Sequence, residues 1–205
     1  MARPVPTRVH PTADVDERAT LGDGTSVWHY AQVRENATLG RDCIIGRGAY
    51  IGPGVTLGNA CKVQNYGLVY EPAVLGNGVF VGPGVVLTND VYPRAANPDL
   101  SLKSSSDWTA VGVTIEDGAS IGARAVCVAP VRIGRWALVA AGAVVVADVP
   151  DFALVAGTPA RRLRWVGRAG VPLEPVDGDE SSFRCPSSGE LYRLTGDGVL
   201  VEEAP

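Results

Sequence analysis

From Val9 onward an aliphatic residue recurs at every sixth position: Val9, Val15, Leu21, Val27, Val33, Leu39, Ile45, Ile51, Leu57, Val63, Val69, Leu75, Val81 and Leu87. After an interruption the period resumes with Ile115, Ile121, Cys127, Ile133, Val139 and Val145. Four positions after each aliphatic residue stands a small or β-branched one, among them Ala31, Ala37, Cys43, Ala49, Val55 and Cys61. Glycine often follows the aliphatic residue directly, as in Leu39-Gly40, Ile45-Gly46 and Ile51-Gly52. A period of six fits neither an amphipathic helix nor a simple alternating strand. It predicts a parallel β-helix, in which each hexad forms one short flat face and three hexads close one triangular coil. The aliphatic residue then fills the prism, the small residue fits the corner, and glycine tolerates the backbone angles of the turn. Neighbouring coils stack at about 4.8 Å, the distance between hydrogen-bonded strands.

The register fails between Leu87 and Ile115, which are 28 residues apart and so not a multiple of six. Residues 88–110 therefore read as a loop extruded from a prism that spans residues 1–150. A loop of that length in a compact solenoid is usually functional. Pro159 suits the first turn of a short helix. That helix is expected over residues 160–168, inside an end cap of residues 151–169 that covers unpaired strand edges. Residues 170–205 form a tail. Its strand-like segments around Phe183 and Tyr192, with turns at Ser188-Gly189 and Asp197-Gly198, predict a small β-hairpin.

Composition agrees with a narrow core. Of 205 residues, 25 are glycine, 15 are proline, and only 6% are aromatic although 46% are apolar. Rings would not fit inside the prism, and helix bundles tolerate glycine and proline poorly. The formal charge of −4 speaks against a nucleic-acid partner, which needs a basic face. The longest uncharged apolar run, residues 136–147, is too short for a membrane span. The N-terminus lacks the apolar core of a signal peptide. The cysteines Cys43, Cys61, Cys127 and Cys185 form no CxxC pair. Scattered thiols of this kind fit a reducing cytoplasm, so a cytoplasmic location is expected.

Several motifs fall in order along this frame: Trp28-His29, Lys62-Val63-Gln64-Asn65, Val69-Tyr70-Glu71, Leu87-Thr88-Asn89, Tyr92-Pro93-Arg94-Ala95 and Gly157-Thr158-Pro159-Ala160-Arg161. The chain resembles the left-handed β-helix, hexapeptide-repeat acyltransferases, and within them the N-acetyltransferases of nucleotide-linked 3-amino sugars. The likeness runs from about His10 to Arg168. It implies an all-β, left-handed parallel β-helix, acetyl-CoA as co-substrate without a metal, a UDP- or dTDP-linked amino sugar as acceptor, and a homotrimer with sites between subunits. It also implies that the residues at Glu71 and Asn89 bind or orient the sugar amine. Repeat arithmetic supports that pairing, because the two are 18 residues apart and should stack on one edge. Glu71 would take or relay the amine's proton, or only orient the amine while the departing thiolate takes it. Asn89 would hold the amine at attack distance.

Gln64, Asn65, Tyr70 and Arg94 are the candidate contacts for the nucleotide sugar, with Arg94 suited to its diphosphate. Small residues Ala140, Ala141, Gly142 and Ala143 would let the pantetheine run close to the backbone. Arg161, Arg162 and Arg164 would meet the CoA phosphates. The two histidines are assigned other roles, His10 in capping and His29 in packing. A γ-class carbonic anhydrase shares the same helix but needs three histidines on zinc, one more than this chain has. An acetyltransferase for another small acceptor, such as serine or an antibiotic, and a non-catalytic ligand-binding solenoid are the remaining readings.

Overall fold

The computed structural model describes residues 6–176, 178–196 and 198–203, except the side chain of Glu180. Two-residue strands recur every six residues from Arg8–Val9 to Val86–Leu87. They stack into three parallel sheets that form the faces of a prism. The first face carries Arg8–Val9, Ser26–Val27, Ile44–Ile45, Lys62–Val63 and Phe80–Val81, and the second carries Asp14–Val15, Gln32–Val33, Tyr50–Ile51, Leu68–Val69 and Val86–Leu87. The third begins with Thr20–Leu21, Thr38–Leu39, Thr56–Leu57 and Val74–Leu75. Partners lie 18 residues apart, as in Val9 with Val27 and Val33 with Ile51. The inward residues Leu39, Ile45, Ile51, Leu57, Val63 and Leu87 are fully buried, and so are the corner residues Ala31, Cys43, Ala49 and Cys61.

The insertion leaves this register undisturbed. Phe80 pairs with Ser120 and Val86 with Val126, both 40 residues on, so 40 less 18 leaves 22 inserted residues. The chain departs after Leu87 and returns at the strand Val113–Ile115. The Val111 N–H donates to the Asn89 carbonyl at 3.0 Å and ties the neck of the loop.

The expected helix at residues 160–168 is not formed, and no helix occurs among the described residues. Instead Ala153–Gly157 pairs parallel with Leu138–Val139, and Ala160–Trp165 folds back antiparallel onto it. The reason is local. The last coil offers an open edge of N–H and C=O groups, and a strand satisfies them, whereas an isolated helix of nine residues is marginal in water. The Thr158-Pro159 pair makes the turn between the two strands. Aromatic residues reappear at this end: Phe152 and Trp165 are buried, and Phe152 meets the buried Tyr192 of the tail edge-on at 5.3 Å. The tail is wider than one hairpin. Glu174–Val176, Asp179–Arg184, Leu191–Leu194 and Leu200–Glu202 form a four-stranded antiparallel sheet. The expected turn at Ser188-Gly189 is present, with the Gly189 N–H on the Cys185 carbonyl. Asp197, in the other expected turn, lies outside the described residues.

An ion-pair cluster fastens the final coil. Asp151 accepts the Arg135 Nε–H at 2.8 Å and pairs with Arg132 at 3.3 Å. Partial burial pushes this carboxyl up, but hydrogen bonds and charge from Arg135, with Arg132, outweigh it and hold the pKa below the ordinary Asp value. A depressed carboxyl stabilises the fold above its unfolded pKa, and that contribution is lost as pH falls through the folded value. Thermal melts from pH 7 down to about pH 2 are expected to show Tm falling through the acid range. Asp151→Asn is expected to flatten that fall; an unchanged slope would contradict it.

Candidate functional site

Several corners repeat one arrangement. A glycine follows the inward aliphatic residue, and an oxygen from the next coil rests against it and accepts the N–H of the residue after the glycine. Asn59 Oδ1 accepts the Arg41 N–H at 2.8 Å beside Gly40, and Asn65 Oδ1 accepts the Arg47 N–H at 3.0 Å beside Gly46. Asp117 does the same for Asn77 at 2.6 Å beside Gly76, and Asp151 for Arg135 at 3.0 Å beside Gly134. Glycine is required there, because a Cβ on Gly40 or Gly46 would stand 2.7 or 2.8 Å from the incoming oxygen.

Glu71 occupies one of these rungs without its donor. Its Oε2 lies where a Cβ on Gly52 would come within 2.5 Å. The residue after Gly52 is Pro53, which has no N–H. Glu71 Oε2 is accordingly buried with no hydrogen-bond partner. Two tyrosines accompany it, Tyr50 and Tyr70, with ring centroids 5.1 Å apart. The Tyr50 phenol is pushed up by burial and by the Glu71 charge, against the opposing pull of Arg34. Arg34 is itself bonded to Glu35 at 2.9 Å. Leu68 pairs with Val86 and Val69 with Leu87, so Glu71 and Asn89 share the corner one coil apart. A carboxylate with an unspent oxygen stands near two phenols at the corner where the insertion leaves the coil, and Asn89 holds the equivalent position one coil on. That set can receive an amine and hold or move its proton.

The other candidates separate. Tyr70 belongs to this corner. Gln64 and Asn65 lie on the preceding corner, one face away, in a groove of about 240 Å³ lined also by Trp28, His29, Ile44, Gly46 and Arg47. His29 is exposed and stacks on His10, ring centroids 3.5 Å apart. Arg94 sits out on the insertion in a basin of about 420 Å³ with Asp90, Lys103 and Trp108. Ala141 and Gly142 are exposed further along the Asn65 corner, whereas Ala143 turns into the core at 1% exposure. Arg161 and Arg162 are exposed on the outer strand of the end hairpin, with Arg162 over the Trp165 ring at 4.3 Å. Tyr50, Gly52 and Pro53 escaped the sequence reading, as did Arg47. The 18-residue step from His29 through Arg47 to Asn65 was the available signal for the groove.

Residues 18–53 match the family described as bacterial transferase hexapeptide (six repeats), and residues 112–147 match the hexapeptide repeat of succinyl-transferase. Both matched segments carry the hexapeptide repeat of bacterial transferases. That repeat indicates the left-handed sense of the β-helix. Among curated relatives, the dTDP-3-amino-3,6-dideoxy-α-D-galactopyranose 3-N-acetyltransferase of Aneurinibacillus thermoaerophilus is 39% identical over 88 residues, 43% of each chain. The 2,3,4,5-tetrahydropyridine-2,6-dicarboxylate N-acetyltransferase of Brevibacillus brevis is 50% identical over 54 residues, 26% of this chain and 23% of that one. The matches thus span less than half the length of these relatives. A solved mutant of AntD, an N-acyltransferase from Bacillus cereus in complex with dTDP and coenzyme A, aligns with 80% of this chain and 84% of its own at 16% identity and a TM-score of 0.49.

Proposed function

We propose that this protein moves an acetyl group from acetyl-CoA to the 3-amino group of a nucleotide-linked amino sugar. The observation that carries the reading is the Glu71 carboxylate, held in a donor-less rung beside Asn89 at the neck of the insertion. The name of the Aneurinibacillus relative supplies the reaction class. The neutral amine attacks the thioester carbonyl, the C–N bond forms, and the C–S bond breaks to release CoA. The proton lost by nitrogen goes to Glu71 or to the departing thiolate. Asn89 orients the amine, which is the main help such a reaction needs. Arg94 and Lys103 line the insertion's basin and supply positive charge for a diphosphate. Ala140, Ala141 and Gly142, with Arg161 and Arg162, form the path for CoA.

The working unit is a homotrimer. The outward residues of the second face include Leu68, Val86, Val126 and Val144, whereas those of the third face are Thr20, Thr38 and Thr56 along the first coils. The apolar face suits burial against a second copy and the threonine face suits water. The enzyme works in the cytoplasm, in keeping with its four free thiols.

The test is thiol release from acetyl-CoA with a panel of UDP- and dTDP-linked 3-amino sugars, alongside sedimentation. Turnover with at least one 3-amino sugar is expected, at a mass three times 21.3 kDa. No turnover with any amine would sink the reading.

A further inference from the structure

We propose that Cys43 and Cys61 form a reversible disulfide under attack by a hydroperoxide, which staples two neighbouring coils of the prism. The two are 18 residues apart, and each directly precedes a strand of the first face, Ile44–Ile45 or Lys62–Val63, which pair in register. The Ile44 N–H donates to the Cys61 carbonyl at 2.8 Å, so the two backbones lie at the spacing of adjacent strands. That spacing is about 4.8 Å, within the roughly 4.4–6.8 Å between Cα atoms that a disulfide bridges. The sulfurs lean along the stack. The Cys43 thiol donates to the Gly58 carbonyl at 3.2 Å, and Gly58 stands three residues before Cys61 in the next coil. The Cys43 sulfur thus reaches out of its own coil toward that of Cys61.

The two thiols are not equivalent. Thr25 stacks on the other side of Cys43, its Oγ1 accepting the Cys43 N–H at 3.0 Å. Hydrogen bonding from Cys61, joined by Thr25, favours a charged sulfur at Cys43 and holds that thiol below its ordinary value against the effect of burial. The same contact, with burial, pushes the Cys61 thiol up. Cys43 is therefore the attacking sulfur and Cys61 the resolving one. Their corner borders water, because Arg41, Asp42, Asn59 and Ala60, which lead into the two cysteines, are exposed. Cys127 supplies the contrast. It stacks in the inward row between Leu87 and Val145, and burial alone pushes its thiol up to about 12. A thiol so placed is inert.

The chemistry balances with the peroxide as the sole oxidant. The Cys43 thiolate attacks one peroxide oxygen. The S–O bond forms, the O–O bond breaks, and the departing hydroxide takes up the proton that Cys43 lost. The Cys61 sulfur then attacks the sulfenic acid at Cys43. The S–S bond forms, the S–O bond breaks, and the second hydroxide leaves as water with the Cys61 proton. The thiols lose two electrons and the peroxide gains them. A dithiol reverses the bond by exchange, so a reducing compartment keeps the pair as thiols until oxidant arrives. Once formed, the bond closes a loop of one coil and constrains the unfolded chain.

The test adds hydrogen peroxide to the intact, folded protein. Free thiols are then counted in denaturant, and unreduced peptides are mapped by mass spectrometry. The expected result is loss of two of the four free thiols and a cross-linked peptide pair that holds Cys43 and Cys61. Tm should rise by about 5 °C or more and return on treatment with dithiothreitol. Cys61→Ser should stop at the sulfenic acid, which dimedone traps on Cys43, and Cys43→Ser should give neither product at this corner. Melts of the untreated variants confirm that they are folded, and the wild-type map stands without them. Four thiols left after treatment would overturn the proposal. So would a cross-link through Cys127 or Cys185 in place of this pair, or a Cys43–Cys61 bond that forms only when the protein is oxidised in denaturant.

Discussion

Glu71→Ala is expected to lower kcat for acetyl transfer about 100-fold or more, with KM little changed and Tm no lower than in the wild type. The rate effect follows from the reaction. A positioned acid–base group contributes about 10²–10⁴-fold, and an interaction made in the transition state is lost from kcat and kcat/KM alike. The stability effect follows from the rung. Glu71 Oε2 is a buried acceptor with no partner, and such a group costs about 1–3 kcal/mol. Removing it relieves that cost, while the methyl of alanine stays clear of Gly52. A glutamate kept for packing would behave the other way, with Tm falling and the rate preserved. Asn89→Ala should repeat the rate loss, since its role is to orient the amine. Steady-state kinetics and melts on the two variants decide. Unchanged kcat in both, with sedimentation as in the wild type, would remove the Glu71–Asn89 corner from the mechanism.

How far the sequence could be read depended on whether a feature repeats. The inward series from Val9 to Leu87 is visible because every coil imposes the same constraint on the same position. The insertion is visible as the failure of that constraint, and 18-residue arithmetic places Asn89 on Glu71. The end cap does not repeat. Pro159 and the arginines after it suit a helix start as well as a strand turn, and only the open edge beside Leu138–Val139 decides between them. The tail shows the same limit. Cys185, Tyr192 and Leu200 are buried in continuity with the prism core, but no period announces the tail strands around them. Within the candidate site, the pairing of Glu71 with Asn89 was legible, whereas the role of Gly52 and Pro53 was not. A missing N–H matters only once the rungs at Gly40, Gly46, Gly76 and Gly134 show what normally fills its place. The same arithmetic also separates residues that motif order had grouped, since Gln64 and Tyr70 lie on different corners.

Pro53→Ala restores the missing donor, and it should make the protein more stable and slower. Arg41, Arg47 and Arg135 hold the equivalent turn position elsewhere, so the backbone there accepts residues other than proline. The new N–H would point at Glu71 Oε2 as the others point at their oxygens. A hydrogen bond to a charged acceptor contributes about 1.5–3 kcal/mol. Loss of proline's restriction on the unfolded chain offsets about 0.4–1 kcal/mol of this. The balance is a gain of about 1–2 kcal/mol. For a chain of this size each kcal/mol raises Tm by about 2–4 °C. The carboxylate would then spend one oxygen on the backbone and attract the amine proton less, so kcat should fall about tenfold. The double variant Pro53→Ala with Glu71→Ala separates the rung from any other effect of losing proline. In that background the Tm gain should vanish, because the acceptor is gone and coupling between residues in contact appears only when both are present. An equal Tm gain with and without Glu71 would show that Pro53 acts on the turn alone, and that the unpartnered oxygen at this corner is not the origin of its chemistry.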